Sequence, residues 1–179
     1  MKGEIMYKTN DYVVYAKTGI CKIKDIRVPK EIGEADRLYY ILEPLGDSCV
    51  IYAPVDTKAF IRPVISAREA QRLIDEIPRM PAKAYYNHHL QELAKHYEDK
   101  ITGYACADLV MLARSIYAKK QAASLQNQKL GQTDEKYLKQ AEDLLMSEFS
   151  VALGIAKQEV PNYIASRIEN PAAPSPRKP

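Results

Sequence analysis

The three cysteines and three histidines are the side chains of this 179-residue chain best suited to nucleophilic, redox or metal chemistry. Cys21, Cys49 and Cys106 are odd in number and show no C-x-x-C spacing. That pattern argues against a disulfide framework and against a zinc site. They read as small buried hydrophobes, the usual state of a free cysteine. His89 and His96 are spaced to share one helix face with His88 alongside, but no carboxylate pattern completes a ligand set, so they read as solvent-facing or packing residues. The acid pairs Glu98-Asp99 and Glu142-Asp143 are sequence neighbours. Adjacent helix positions diverge, so these acids read as solvated faces or as partners of Lys95 and Lys139. The chain has no G-x-G-x-x-G, no phosphate-binding G-x-x-x-x-G-K, no H-E-x-x-H and no G-x-S-x-G. The expectation is a non-enzymatic protein without metal or cofactor.

What remains are aromatic and basic side chains that could contact a macromolecule. Tyr85-Tyr86 precedes Asn87-His88-His89, and Lys119, Lys120, Lys129, Lys136 and Lys139 flank a polar stretch. A charge run is usually a solvated face, and phosphate contact requires convergence in space. Net charge is only +3. Residues 1–63 carry 10 Lys and Arg against 9 Asp and Glu, and residues 64–170 carry 14 against 14. Bulk electrostatics therefore do not draw this chain to nucleic acid, and any such contact must be local. No apolar run approaches the roughly 20 residues of a membrane span, and the N-terminus lacks a secretory signal. A cytoplasmic location is expected.

The apolar period changes near Pro63, which gives an α+β reading in two parts. Residues 1–63 alternate as strands at Tyr12–Tyr15, Ile20–Val28, Leu38–Leu45 and Cys49–Ala53, with a short fifth at Phe60-Ile61. Gly19 and Gly46 supply turns, and Pro29 to Asp36 reads as a hairpin loop. In the second strand Ile20, Lys22, Lys24 and Ile26 are expected on one side and Cys21, Ile23 and Asp25 on the other. So many short strands in so few residues suit a small SH3-like or Tudor-like barrel, whose closure removes exposed edges. Residues 64–169 read as an all-α domain. Ser66 and Glu69 have capping-box spacing before Ala70, Leu73, Ile74 and Ile77, and Pro78 and Pro81 end that helix. Further helices are expected at 83–99 (apolar stripe Tyr86, Leu90, Leu93, Tyr97), at 106–123, from a Thr133 or Asp134 cap to Leu153 with Gly154 after it, and from Pro161 to Ile168. Residues 170–179 contain four prolines and read as a disordered tail.

Particular residues resemble a known family. Asp11 to Tyr15, then Gly19 to Ile23 and Ile26, resemble its D-x-V-V-Y opening, glycine turn and second strand. Tyr39 to Leu42 and Ile51 to Asp56 look like its next two strands, and Arg62 to Ala70 like its junction to the first helix. Asp134 to Glu142, Glu148-Phe149 and Leu153-Gly154 are similar to its last long helix. The chain resembles the CarD/CdnL group of bacterial transcription regulators over residues 8–168. Their N-terminal module is shared with transcription-repair coupling factors.

The resemblance implies a monomer whose first module adds a sheet edge to the β subunit of bacterial RNA polymerase. Its helical domain lies on promoter DNA at the upstream edge of the bubble, where an aromatic side chain wedges into the minor groove. In the first module Val50, Ile51 and Tyr52 read either as the exposed edge that pairs with polymerase or as an internal strand, and Lys24 and Arg27 as candidate partners of acidic residues on the polymerase. The resemblance puts DNA contact at Tyr85, Tyr86, His88, His89, Lys95, Lys119, Lys120, Lys136 and Lys139. The wedge is usually Trp, and this chain has none. Tyr85 is expected to take its place, with Tyr86 packing inward on the apolar stripe. The family's S-G-[DN] after its second helix is altered here to Thr102-Gly103-Tyr104. The balanced charge of residues 64–170 keeps a second reading open, a polymerase-bound adaptor that does not touch DNA.

Overall fold

The computed structural model describes residues 6–30 and 37–170 of the chain. Most of the hairpin loop expected at 29–36, and the tail beyond residue 170, lie outside the described residues. The chain divides into two compact units, Met1–Val64 and Ile65–Pro179.

The first unit is an antiparallel sheet of five strands: β1 (Tyr12–Tyr15), β2 (Gly19–Arg27), β3 (Tyr39–Pro44), β4 (Ile51–Pro54) and β5 (Ile61–Pro63). Their order is β4-β3-β2-β1-β5. The turn from β1 to β2 needs Gly19, whose φ of 89° lies in the region that disfavours side chains. The core forms on one face from Tyr7, Val13, Cys21, Ile23, Tyr40, Leu42 and Ala53. Two expectations are corrected. First, Ile26 does not lie opposite Cys21 and Ile23 but packs with them. The β2–β3 register slips between Ile23 and Asp25, so Lys24 is an extra residue. One inserted residue reverses the face of everything after it. Second, the sheet does not close as a barrel would. Among the described residues, β4 pairs only with β3 and β5 only with β1. Strands of four and three residues, each ending in a proline that has no N–H to give, leave too short a ladder to join the two ends.

The second unit contains α1 (Ala67–Glu76), α2 (Leu90–Thr102), α3 (Cys106–Leu125), α4 (Gln132–Leu153) and α5 (Val160–Glu169). The capping box opening α1 is formed as expected. Ser66 Oγ accepts from the Glu69 N–H at 3.2 Å, and Glu69 Oε2 accepts from the Ser66 N–H at 2.8 Å. Gly154 ends α4 in the left-handed conformation. An Arg167–Asp75 pair with two parallel hydrogen bonds of 2.7 and 3.0 Å ties α5 to α1. Tyr104 holds a positive φ of 49° yet is buried.

Helix α2 begins seven residues later than expected. Asn87 competes for the backbone: its Oδ1 accepts from the His89 N–H at 2.8 Å and its Nδ2 donates to Glu92 Oε2 at 2.9 Å. Residues 81–89 have no regular secondary structure, and Leu90, placed on the apolar stripe by its spacing, is exposed.

The helices meet around one buried polar group. Asp134 is not the cap of α4, which is Gly131, but the third residue of its first turn. Its carboxylate turns inward, where Oδ1 accepts from Tyr97 Oη of α2 at 2.6 Å and from Lys119 Nζ of α3 at 2.6 Å. A Cβ at Gly131 would lie 3.1 Å from Asp134 Oδ2, so the glycine leaves room for that turn. Tyr97, Lys119 and Asp134 are all buried. Breaking such a pair strands a charge. Asp134→Ala is expected to lose about 3–5 kcal/mol of stability in urea unfolding. The double replacement Lys119→Met with Asp134→Leu should recover most of that loss, and failure to recover it would contradict the role assigned to the pair.

Candidate functional site

In the first unit the site is the open side of β4. The Val55 N–H donates to the Leu38 carbonyl at 3.0 Å, and Ala53 and Ile51 stand opposite Tyr40 and Leu42. Backbone groups alternate in an antiparallel ladder. Ile51, Ala53 and Val55 therefore bond to β3, while Tyr52 directs its N–H and C=O away from the sheet. Pro54 shares that outward side, where its missing N–H costs nothing. Beside this edge the β3–β4 connection exposes Leu45 (46 %) and Val50 (52 %). Val50 lies just before the strand, not within it.

The opposite edge is blunted. In β5 the outward backbone groups belong to Ile61 and Pro63, because Phe60, Arg62 and Val64 face β1. The Ile61 carbonyl accepts from Tyr7 Oη at 3.4 Å, and the Pro63 carbonyl accepts from Arg62 Nη1 at 3.0 Å. Pro63 has no N–H to offer. Of the two alternatives left open for Val50 to Tyr52, the edge is the one found. Lys24 and Arg27 are both engaged within the sheet: Lys24 Nζ lies 2.7 Å from Glu43 and Arg27 Nε 3.3 Å from Asp25.

In the second unit an aromatic group gathers around the irregular segment 81–89. Ser115 Oγ of α3 donates to the Lys83 carbonyl at 2.8 Å and pins the segment. The Tyr85 ring stacks on His96 with centroids 3.9 Å apart, and Tyr85 packs against the helical core. Tyr86 is 63 % exposed, and Lys119 Nζ lies 5.2 Å from its ring centroid. The expected roles are thus exchanged, with Tyr85 held inward and Tyr86 presented. The helical stripe that placed Tyr86 inside does not exist where there is no helix.

Lys119 is a further correction. It was expected at the surface against phosphate, but it is 8 % exposed and committed to Asp134. It sits on the inward side of α3, where its carboxylate partner satisfies it. His88, His89, Lys95, Lys120, Lys136 and Lys139 are exposed. Lys136 lies 5.2 Å from the Tyr137 ring, which contacts Tyr97, so Tyr85, Tyr86, Lys119 and Lys136 are linked through one aromatic group. Lys120 instead lies over Tyr117 at 5.9 Å. His96, Tyr97 and Asn87 were missed as members of this site. Asn87 carried a signal, as a residue type that stops a helix from starting early.

The cysteines divide. Cys21 and Cys106 are buried, whereas Cys49 is exposed. Burial pushes the Cys21 thiol up to about 11, and Cys106 Sγ donates to Glu148 Oε2 at 3.0 Å. Among the described residues no group of three or more His, Cys, Asp or Glu is placed to hold a metal ion, and no helix is long and apolar enough to cross a membrane.

A comparison with protein families matches residues 7–65 to the CarD-like/TRCF RID domain. The matched residues make up most of the N-terminal unit, which is similar to that domain. That domain belongs to RNA polymerase-interacting, transcription-related proteins. The match ends where the helical unit of this protein begins. No curated protein matches the chain.

Burial lowers the pKa of His96 from 6.5, with Lys100 acting in the same direction and Asp99 opposing. The folded state therefore resists protonation of this ring. The stability tied to its neutral form is present above the unfolded value and is lost as pH falls through the lower native value. Chemical denaturation at about pH 7.5 and about pH 5 should show a larger drop for the parent protein than for His96→Phe, which keeps the stack and cannot titrate. Equal drops would show that His96 does not set the acid sensitivity.

Proposed function

We propose that this is a cytoplasmic, non-enzymatic transcription regulator. Its CarD-like/TRCF RID domain adds the β4 edge to a sheet of the polymerase β subunit, and its helical unit stabilises the promoter open complex. The observation that carries the reading is the contrast between the two ends of the sheet. At one edge the Pro63 N–H is absent and the Ile61 and Pro63 carbonyls are occupied. The other offers the N–H and C=O of Tyr52 beside exposed Leu45 and Val50. Strand addition draws affinity from such main-chain groups and specificity from adjacent side chains. The docking needs an edge, and an open Tudor-like sheet serves it better than a fully closed barrel.

For the helical unit, Tyr86 is the wedge. It is exposed, amphipathic and carried on a segment anchored by Ser115, His96 and Asn87. An aromatic group inserted at a distorted step offsets part of an unstacking cost of a few kcal/mol. His88, His89, Lys95, Lys120, Lys136 and Lys139 are the exposed residues available to phosphate. An adaptor without DNA contact is the second reading, favoured by the burial of Lys119 and by the equal acid and base counts of residues 64–170.

Two measurements test the proposal. Tyr52→Pro removes an outward N–H at an edge position, while Tyr52→Ala keeps it. Binding to the isolated polymerase β lobe should weaken at least about tenfold with Pro, equal to about 1.4 kcal/mol, and less with Ala. A correctly folded Tyr52→Pro protein that binds like the parent would contradict docking through β4. Tyr86→Ala should shorten the open-complex lifetime, and promoter affinity should fall steeply with salt. A lifetime unchanged by Tyr86→Ala together with salt-insensitive association would favour the adaptor.

A further inference from the structure

Segment 81–89, α2 and α3 wall a hollow of about 320 Å³ in the helical unit. That lies at the small end of ligand sites, roughly 300–1,000 Å³. Three basic side chains line it, Lys83, His96 and Lys100, and no acid does. Three other hollows of this unit each set a carboxylate among their cations: Glu142 with Arg114, Asp143 with Lys139 and Lys157, and Asp75 with Arg79 and Arg167. Neither Lys83 nor Lys100 pairs with a carboxylate among the described residues.

The field of these cations reaches into the hollow. Burial and then Lys100 hold the His96 ring below its usual pKa, while Asp99, exposed and outside the lining, opposes them. Tyr85 stacks on the face of that ring, which leaves its nitrogens at the edge, and neither has a hydrogen-bond partner among the described residues. A neutral imidazole still offers one N–H donor. Pro81, Met111 and Leu112 supply apolar wall. The Ser115 hydroxyl on the Lys83 carbonyl fixes the rim.

A cleft lined by one sign of charge with low-dielectric walls concentrates the opposite charge. Two uncompensated lysines match a dianion. A phosphate monoester carries a charge of about −1.5 to −2 at neutral pH. The apolar wall suits an organic group attached to it. We infer that this hollow binds a small organic phosphate monoester, with its phosphate held by Lys83, Lys100 and His96 and its organic part against Met111 and Leu112. The inference rests neither on docking through β4 nor on insertion of Tyr86.

The test uses the full chain and four probes: phenyl phosphate, inorganic phosphate, phenol and a single-stranded oligonucleotide without terminal phosphates. Calorimetry gives affinity, and the imidazole signals of His96 report where a probe sits. Phenyl phosphate should bind one-to-one, move the His96 signals and bind at least about tenfold more tightly than phenol. Inorganic phosphate should bind more weakly than phenyl phosphate, because it leaves the apolar wall uncovered. Lys83→Gln and Lys100→Gln, both at exposed positions, should each weaken phenyl phosphate and together remove its advantage over phenol. Unmoved His96 signals, equal binding of phenyl phosphate with phenol or with inorganic phosphate, an affinity unchanged in the double variant, or displacement of phenyl phosphate from His96 by a lower concentration of the oligonucleotide would each overturn the proposal.

Discussion

The physical constraint that organises this protein is the inequality of the two ends of one small sheet. A five-stranded antiparallel sheet that does not close must leave two rows of backbone donors and acceptors unpaired. At β5 the row is reduced: Pro63 has no N–H, and the Ile61 and Pro63 carbonyls are taken by the Tyr7 hydroxyl and by Arg62. At β4 nothing equivalent covers Tyr52 among the described residues. An edge left open beside exposed apolar side chains is an aggregation hazard unless a partner strand takes it. A domain family of RNA polymerase-interacting proteins supplies the class of partner.

The helical unit is organised by a different constraint, the need to satisfy a buried carboxylate and a buried ammonium at once. Asp134 and Lys119 come from different helices, and the Tyr97 hydroxyl from a third. Such a cluster stabilises only when complete, which fixes the mutual placement of α2, α3 and α4. The segment 81–89 lies against this cluster, with Tyr85 on His96 and Tyr86 over Lys119. Presentation of Tyr86 is thus a consequence of packing beneath it as well as of its own exposure.

Much of the architecture was legible in the residues. Alternation marked β1 to β3, Ser66 and Glu69 announced α1, and Gly154 announced the end of α4. Failures occurred where a local pattern met a competing interaction. Ile26 changes face because Lys24 is bulged out, and a period of two cannot reveal an inserted residue. Tyr86 and Leu90 have helical spacing, but Asn87 uses its side chain to hold the backbone out of the helix. Lys119 looks like a surface cation until its partner fifteen positions away is folded against it. Asp134 has the chemistry of a cap and is used as a counter-ion. In the first unit the candidate edge was visible as Val50 to Tyr52, but its being an edge depends on strand order, which no single strand encodes.

The account rests most heavily on main-chain pairing at β4. Amide hydrogen exchange of the full chain, alone and bound to the polymerase β lobe, reports that pairing residue by residue. Strong new protection of the Tyr52 amide in the complex, with the Ile61 amide of β5 unchanged, is the predicted result. A complex that forms while the Tyr52 amide exchanges as fast as in the free protein would contradict it.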